Sequence, residues 1–229
     1  VRTGSPLLGA RGITRRYGTV EALAPLDLSI ARGERIALTG PNGAGKTTLL
    51  TMLAGVQAPS DGVLEWAGGA AAPVGWVPQR PALYPRLTTR ENLRLFAGLE
   101  GSSDPGATAD ALIRRADLGE FADRRAGALS TGTLQRLNLA IALAGSPSLL
   151  LLDEPTGTLS PDQRVRLWGW LDDLVRTDDM ALVFSTQSTD EAARNADRVL
   201  VLAHGRLLHD GPAEALDEAG FMALLGDAA

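Results

Sequence analysis

Gly40-Pro41-Asn42-Gly43-Ala44-Gly45-Lys46-Thr47-Thr48 decides how this chain is read. Gly40 and Gly45 bracket four residues and are followed by a lysine and a hydroxyl side chain, which is the P-loop pattern. Glycines let the backbone turn tightly and aim several N–H groups at one point. The whole stretch from Gly40 to Thr48 is therefore a candidate phosphate cradle. Lys46 would set a point charge on the β- and γ-phosphates, and the Thr47 hydroxyl would hold Mg²⁺. Arg35 to Thr39 before it reads as a short buried strand. Leu49 to Ala54 after it reads as a helix, whose N-terminus favours a phosphate. A glycine-rich turn with an incidental lysine is the plainer reading, and it leaves most of the pattern unexplained. The stretch points to an NTPase or a nucleotide switch.

The rest of the composition narrows the field. The chain has 229 residues, 45% hydrophobic and 21% charged, with a formal charge of −5. That length fits one large domain or two small lobes sharing a core. Net acidity argues against a general nucleic-acid binder, so no nucleic-acid partner is expected. There is no cysteine, which excludes disulfides and thiolate metal sites, and two histidines make no metal cluster. No basic region followed by an apolar core opens the sequence, so no signal peptide is expected. No apolar run reaches the ~18 residues of a membrane span, so any pore would come from another protein.

Working outward, Leu7 to Ile30 is β-rich. Ile13 to Tyr17 predicts a strand ending near Gly18, and Leu23 to Ile30 a second with Leu26, Leu28 and Ile30 on one face. Tyr17 could stack on a base, worth ~1–3 kcal/mol, or serve only as a half-buried strand aromatic. Val63 to Trp66 and Val74 to Val77 are short strands. Gln79, just past the second, could place its amide oxygen near a metal or water, or be a satisfied surface amide. From about Pro81 to Leu129 the pattern turns helical. Thr88 and Glu91 have capping-box spacing, Gly101 to Gly106 reads as a loop, and Ala107 to Ala116 as a helix with Leu112 and Ile113 inward. Ser130 is a candidate N-cap for a helix marked by Leu134, Leu137, Ile141 and Ala144, and a start bearing Ser130 and Gly132 is also a candidate anion site. Pro147 to Leu152 predicts an apolar strand ending in Asp153-Glu154. Two carboxylates there need cations or water: Asp153 could hold Mg²⁺, and Glu154 could orient an attacking water. Thr156 to Pro161 is a loop, Val165 to Val175 a helix, Ala181 to Phe184 a strand running into Ser185-Thr186-Gln187, and Thr189 to Ala196 a helix. Arg198 to Leu202 and Arg206 to His209 predict a hairpin around His204-Gly205, with a helical tail from Pro212. His204 and His209 lie far along the chain from the phosphate motifs and are assigned no chemistry.

Taken together, these pieces resemble the nucleotide-binding subunit of an ABC transporter, over nearly the whole chain and in the family's order. Tyr17 resembles the aromatic residue that stacks on adenine. Gly40 to Thr48 resembles Walker A, and Gln79 the Q-loop glutamine that contacts Mg²⁺ or the attacking water. Leu129 to Thr133, followed by Gln135-Arg136, resembles the signature motif. Leu149 to Glu154 resembles Walker B, with Glu154 as the catalytic carboxylate. The segment Leu83-Tyr84-Pro85-Arg86-Leu87-Thr88, leading into Glu91-Asn92-Leu93, is similar to exporter-type subunits. The chain departs from the family at Thr131 (usually Gly), Thr133 (usually Gln), Ser160 (usually Asp) and Gln187, where the switch histidine is expected beside the catalytic site.

The resemblance implies an α/β fold: a P-loop NTPase core with an N-terminal antiparallel β subdomain and an inserted α-helical signature subdomain. It implies a single domain over 1–229, with core and β subdomain at about 1–80 and 146–229 and the helical part at about 81–145. ATP and Mg²⁺ would be the cofactors. Two subunits, identical or different, would sandwich two ATPs between one Walker A and the other's signature helix. Their closing and reopening would drive an integral membrane permease from the cytoplasmic face of the membrane, to which this chain would attach peripherally. Two other readings stay open: a catalytically weakened half of a heterodimer, which Gln187 and Ser160 favour, and a soluble ABC-type ATPase acting away from membranes.

Overall fold

The computed structural model describes residues 5–226, so the ends 1–4 and 227–229 of the expected single domain lie outside the described residues. The N-terminal β-rich stretch forms β1 (Pro6–Tyr17) and β2 (Val20–Ala31), antiparallel and joined by a tight turn at Gly18-Thr19. Then come β3 (Arg35–Thr39), α1 (Lys46–Leu53), β4 (Asp61–Trp66) and β5 (Val74–Val77). β4 pairs with β1, giving a three-stranded antiparallel sheet in the order β2-β1-β4. Leu26, Leu28 and Ile30 are buried as the alternation predicts.

The chain next leaves the sheets for α2 (Thr89–Leu99), α3 (Pro105–Arg115) and α4 (Thr131–Ala142) before returning as β6 (Leu149–Asp153). β5 and β6 are parallel neighbours, so these helices are an excursion between adjacent strands. α5 (Pro161–Asp178), β7 (Ala181–Thr186), α6 (Thr189–Asn195), β8 (Arg198–Ala203), β9 (Arg206–Pro212) and α7 (Glu218–Gly226) complete the order. The second sheet runs β5-β6-β7-β3-β8-β9, parallel except for the β8–β9 hairpin.

Both faces of that sheet are covered, which is why its strands read as apolar runs. Alternate residues divide between two cores. Leu150, Leu152, Leu182 and Phe184 face the core shared with the helices. Leu149, Leu151, Ala181 and Val183 face the core shared with α1, β1 and β2. Trp168 of α5 meets Phe184 edge-on at 4.6 Å between ring centres, anchoring that helix.

Two helices start earlier than expected, for one reason. α3 begins at Pro105, inside the expected loop Gly101 to Gly106, because the Asp104 carboxylate accepts the Ala107 N–H at 2.9 Å and proline suits the first helical position. Gly106 in the first turn does not prevent it. α5 likewise begins at Pro161, after Ser160 and ahead of the expected Val165. The capping box at Thr88 and Glu91 forms as the spacing implies.

Candidate functional site

Parallel strands end together, and here β3, β6 and β7 bring Thr39, Asp153 and Thr186 to one edge. The turn from β3 into α1 runs along that edge. At Gly40 the backbone has φ +145° and passes so close to β8 that a Cβ would lie 2.0 Å from the Leu202 carbonyl oxygen. At Gly45, with φ +103°, a Cβ would lie 2.9 Å from the Ala22 carbonyl oxygen. Gly43 has φ +77° with open space around it, so conformation alone favours glycine there. The Gly205 N–H donates to the Ala44 carbonyl at 3.1 Å, and the Ala24 N–H to the Gly205 carbonyl at 2.7 Å. The β8–β9 turn, distant in sequence from the phosphate motif, is thus its wall in space. The exposed His204 takes no part in that bracing. α1 starts on Gly45 without any side-chain cap, so its first-turn N–H groups have no side-chain acceptor.

The turn encloses an open cavity of about 200 Å³, lined by Asn42 to Thr48, Gln79, Asp153, Glu154 and Ala22. Gly40 and Pro41 stand behind it, and their carbonyls accept from the Lys46 ammonium at 2.7 and 3.0 Å. Burial pushes the Lys46 pKa below the ordinary lysine value, against the opposing pull of the Glu154 and Asp153 carboxylates. The Thr47 hydroxyl donates to Asp153 Oδ2 at 2.8 Å. A hydroxyl and a carboxylate oxygen therefore already meet at one point of the cavity wall. That pair fits Mg²⁺, which takes one or two protein oxygens and draws the rest from phosphates and water. Among the described residues no cluster of three or more His, Cys, Asp or Glu forms an all-protein metal cage.

Glu154 follows Asp153 with φ +50°, a left-handed conformation costing a non-glycine residue roughly 1–2 kcal/mol. Its N–H donates to Ser185 Oγ at 2.8 Å. Its carboxylate Oε1 accepts from the Gln187 amide at 3.0 Å, so the structure brings these two candidates together. Glu191 of α6 braces both flanks, accepting from Thr156 Oγ1 and Thr186 Oγ1 at 2.6 Å each and from Trp168 Nε1 at 3.0 Å. Three donors from three elements converge on one carboxylate.

The remaining candidates lie outside the cavity lining. The Tyr17 ring is 44% exposed, with the Arg15 guanidinium 4.7 Å from its centre and its hydroxyl donating to Gln57 at 2.5 Å. Ser130 and Gly132 sit at the start of α4 and line a separate cavity of about 470 Å³ between α3, α4 and α5. Ser130 is the N-cap, accepting from the Thr133 N–H at 3.3 Å. α4 is also tied to the Glu154 loop, because the Gln135 amide donates to the Pro155 carbonyl at 3.1 Å. Ser185, Glu191 and this role of Gln135 were missed from sequence. The signal for Ser185 was a pair of hydroxyl residues, Ser185-Thr186, closing an apolar strand. Glu191 carried none, since its partners are scattered along the chain.

The family model described as ABC transporter matches residues 23–157. The Nod factor export ATP-binding protein I of Burkholderia orbicola is 39% identical over 91% of this chain and 71% of its own length. The phosphonates import ATP-binding protein PhnC 1 of Natronomonas pharaonis is 38% identical over 96% of this chain and 100% of its own length. The probable multidrug ABC transporter ATP-binding protein YbhF of Escherichia coli is also 38% identical, and the chain spans only 38% of its length. Among solved structures, the dimeric structure of the bacterial ABC transporter cassette MJ0796 superposes with a TM-score of 0.80 at 25% identity, over 90% of this chain and 99% of that one.

Proposed function

This chain belongs to the ABC transporter family, and from that premise we propose that it binds Mg-ATP at Gly40 to Thr48 and hydrolyses it to power a separate membrane permease. The observation that carries the reading is the lining of one cavity by a P-loop, a lysine, the Thr47–Asp153 oxygen pair and Glu154. The loop's backbone N–H groups and Lys46 hold the phosphates. Thr47 and Asp153 would hold Mg²⁺, with Gln79 alongside, and the ion would supply charge neutralisation for the phosphates. Glu154 orients the attacking water and accepts its proton. Tyr17 supplies a stacking face for the base. Ser130 and Gly132 serve the ATP of a second subunit, which fits their distance from this chain's own cavity and the dimeric MJ0796 cassette.

No described helix is long and apolar enough to cross a membrane, which supports peripheral attachment through a partner. Export as the direction is supported by the Leu83 to Leu93 segment and the Nod factor export relative, with an import relative at similar identity. Identifying the membrane protein that co-purifies from native membranes, and assaying transport by the pair, tests both partner and direction.

Lys46→Ala should weaken ATP binding by about 2–5 kcal/mol, roughly 30- to 4,000-fold in Kd, while the fold survives. Unchanged affinity by calorimetry would remove the nucleotide site. A second reading is favoured by Gln187, which spends its amide on Glu154 and cannot become cationic beside the γ-phosphate. Under it this chain is the weaker half of an asymmetric pair. Glu154→Gln should abolish phosphate release and leave a stable ATP-bound dimer, whereas Gln187→His should raise turnover roughly ten- to thirtyfold. No release at any protein concentration, and no rescue by Gln187→His, favours the asymmetric pair.

A further inference from the structure

We propose that Ser185 is a positioning residue for hydrolysis: its one hydroxyl joins Asp153 to Glu154 and keeps the Glu154 carboxylate at the P-loop cavity. The inference rests on the ATPase reading above.

β7 is apolar from Ala181 to Phe184 and fully buried, and Ser185 is 0% exposed at its end. Leaving a buried hydroxyl unbonded costs free energy, and that of Ser185 is bonded. Ser185 lies level with Asp153 in the parallel β6–β7 register, and its Oγ is 2.5 Å from Asp153 Oδ1. A serine oxygen carries one proton and accepts through its lone pairs. The Glu154 N–H donates to that oxygen, so the hydroxyl proton goes to Asp153. Thr47 occupies the other Asp153 oxygen, which fixes that carboxylate from both sides.

The consequence falls on Glu154. A left-handed non-glycine residue persists only where its surroundings over-determine it. At Glu154 the N–H is held by Ser185, the side chain by Gln187, and the next residue's carbonyl by Gln135. The Ser185 bond is the one of these that acts on the residue's own N–H, while its carbonyl accepts from the Gly157 N–H at 3.3 Å. Removing the Ser185 bond loosens φ at position 154 and leaves the carboxylate's direction to the exposed Gln187 bond alone. The same loss deprives Asp153 Oδ1 of its donor but leaves its Oδ2 bonded to Thr47, and the P-loop backbone and Lys46 make no bond to Ser185, so nucleotide affinity should change less than turnover.

The experiment is Ser185→Ala against wild type, with Ser185→Thr as the variant that keeps the hydroxyl. Ser185→Ala should lower kcat roughly 10- to 100-fold and change the KM for Mg-ATP less than threefold. Ser185→Thr should recover kcat to within about fivefold. In a Glu154→Ala background Ser185→Ala should cost markedly less than in wild type, because the route through Glu154 is gone and only the bond to Asp153 remains. Independently of turnover, exchange of the Glu154 amide hydrogen should quicken at least tenfold in Ser185→Ala while Leu150 to Leu152 stay protected. Should Ser185→Ala not fold, Ser185→Cys takes its place, since a thiol fills the site as a weaker donor. Wild-type kcat in Ser185→Ala, an unchanged Glu154 amide, or an equal rate loss in the Glu154→Ala background overturns the inference and leaves the ATPase reading standing. A wild-type chain that neither binds ATP nor releases phosphate overturns both.

Discussion

Two helices of this chain begin among glycines and hydroxyl residues, and they treat their first turns in opposite ways. α1 begins on Gly45, whose lack of a side chain leaves the first-turn N–H groups with no cap. α4 begins on Ser130, whose hydroxyl turns inward to the Thr133 N–H and shares a second bond with Thr133 Oγ1 at 2.8 Å. The glycines differ as well. Gly40 and Gly45 of the P-loop are pressed against backbone, whereas a Cβ at Gly132 would meet the Gln163 side chain, at 2.5 Å from its amide nitrogen. Similar composition thus yields one turn with no side-chain acceptor of its own and another in which the Thr133 N–H already has one.

The sharpest way to break this contrast is Gly40→Ala. A Cβ against the Leu202 carbonyl combines backbone strain with overpacking, so the variant should lose roughly 2–6 kcal/mol, read by urea unfolding. A midpoint equal to wild type would show that the loop moves freely and that close approach does not require glycine. Gly43→Ala comes next. With no collision, only the left-handed backbone is penalised, by about 1–2 kcal/mol, and ATP affinity measured beside stability should fall in step. Ser130→Ala should cost about 1 kcal/mol as α4 loses its cap, a shift of about 2–4 °C in Tm. Stability unchanged by that substitution would mean that the Thr133 N–H has another acceptor. The smallest effect belongs to Gly132→Ala. Alanine favours the helix by about 1 kcal/mol and Gln163 must swing aside, so the net change should stay within about 1 kcal/mol. In a Gln163→Ala background the same change should turn stabilising.

The sequence displayed what is local in the chain. The P-loop, the strand ending in Asp153-Glu154 and the Thr88 capping box depend on residues a few positions apart, and their patterns survive in one dimension. The early starts of α3 and α5 were legible too, in Asp104-Pro105 and Ser160-Pro161, but Gly106 and the loop-like Thr156 to Pro161 drew attention away from the caps. What stayed hidden was built across strands. Ser185 reaches Asp153 only because β6 and β7 align in register, and Glu191 gathers Thr156, Trp168 and Thr186 from three elements. Gln187 was legible as a departure from the family pattern, but its bond to Glu154 was not, since a side-chain amide has no fixed partner until the strand ends meet. Tyr17 was read as a base-stacking face or a half-buried strand aromatic, and its contacts with Arg15 and Gln57 were not legible in the sequence.

The left-handed turn at Glu154 also bears on how this chain would fare under selection. Glycine and asparagine are at ease in that conformation, so either one at position 154 relieves strain that the native glutamate carries. A mutant library sorted only for resistance to heat should therefore drift toward Glu154→Gly and Glu154→Asn. Sequencing the survivors and assaying them for phosphate release would show robustness gained where turnover was lost.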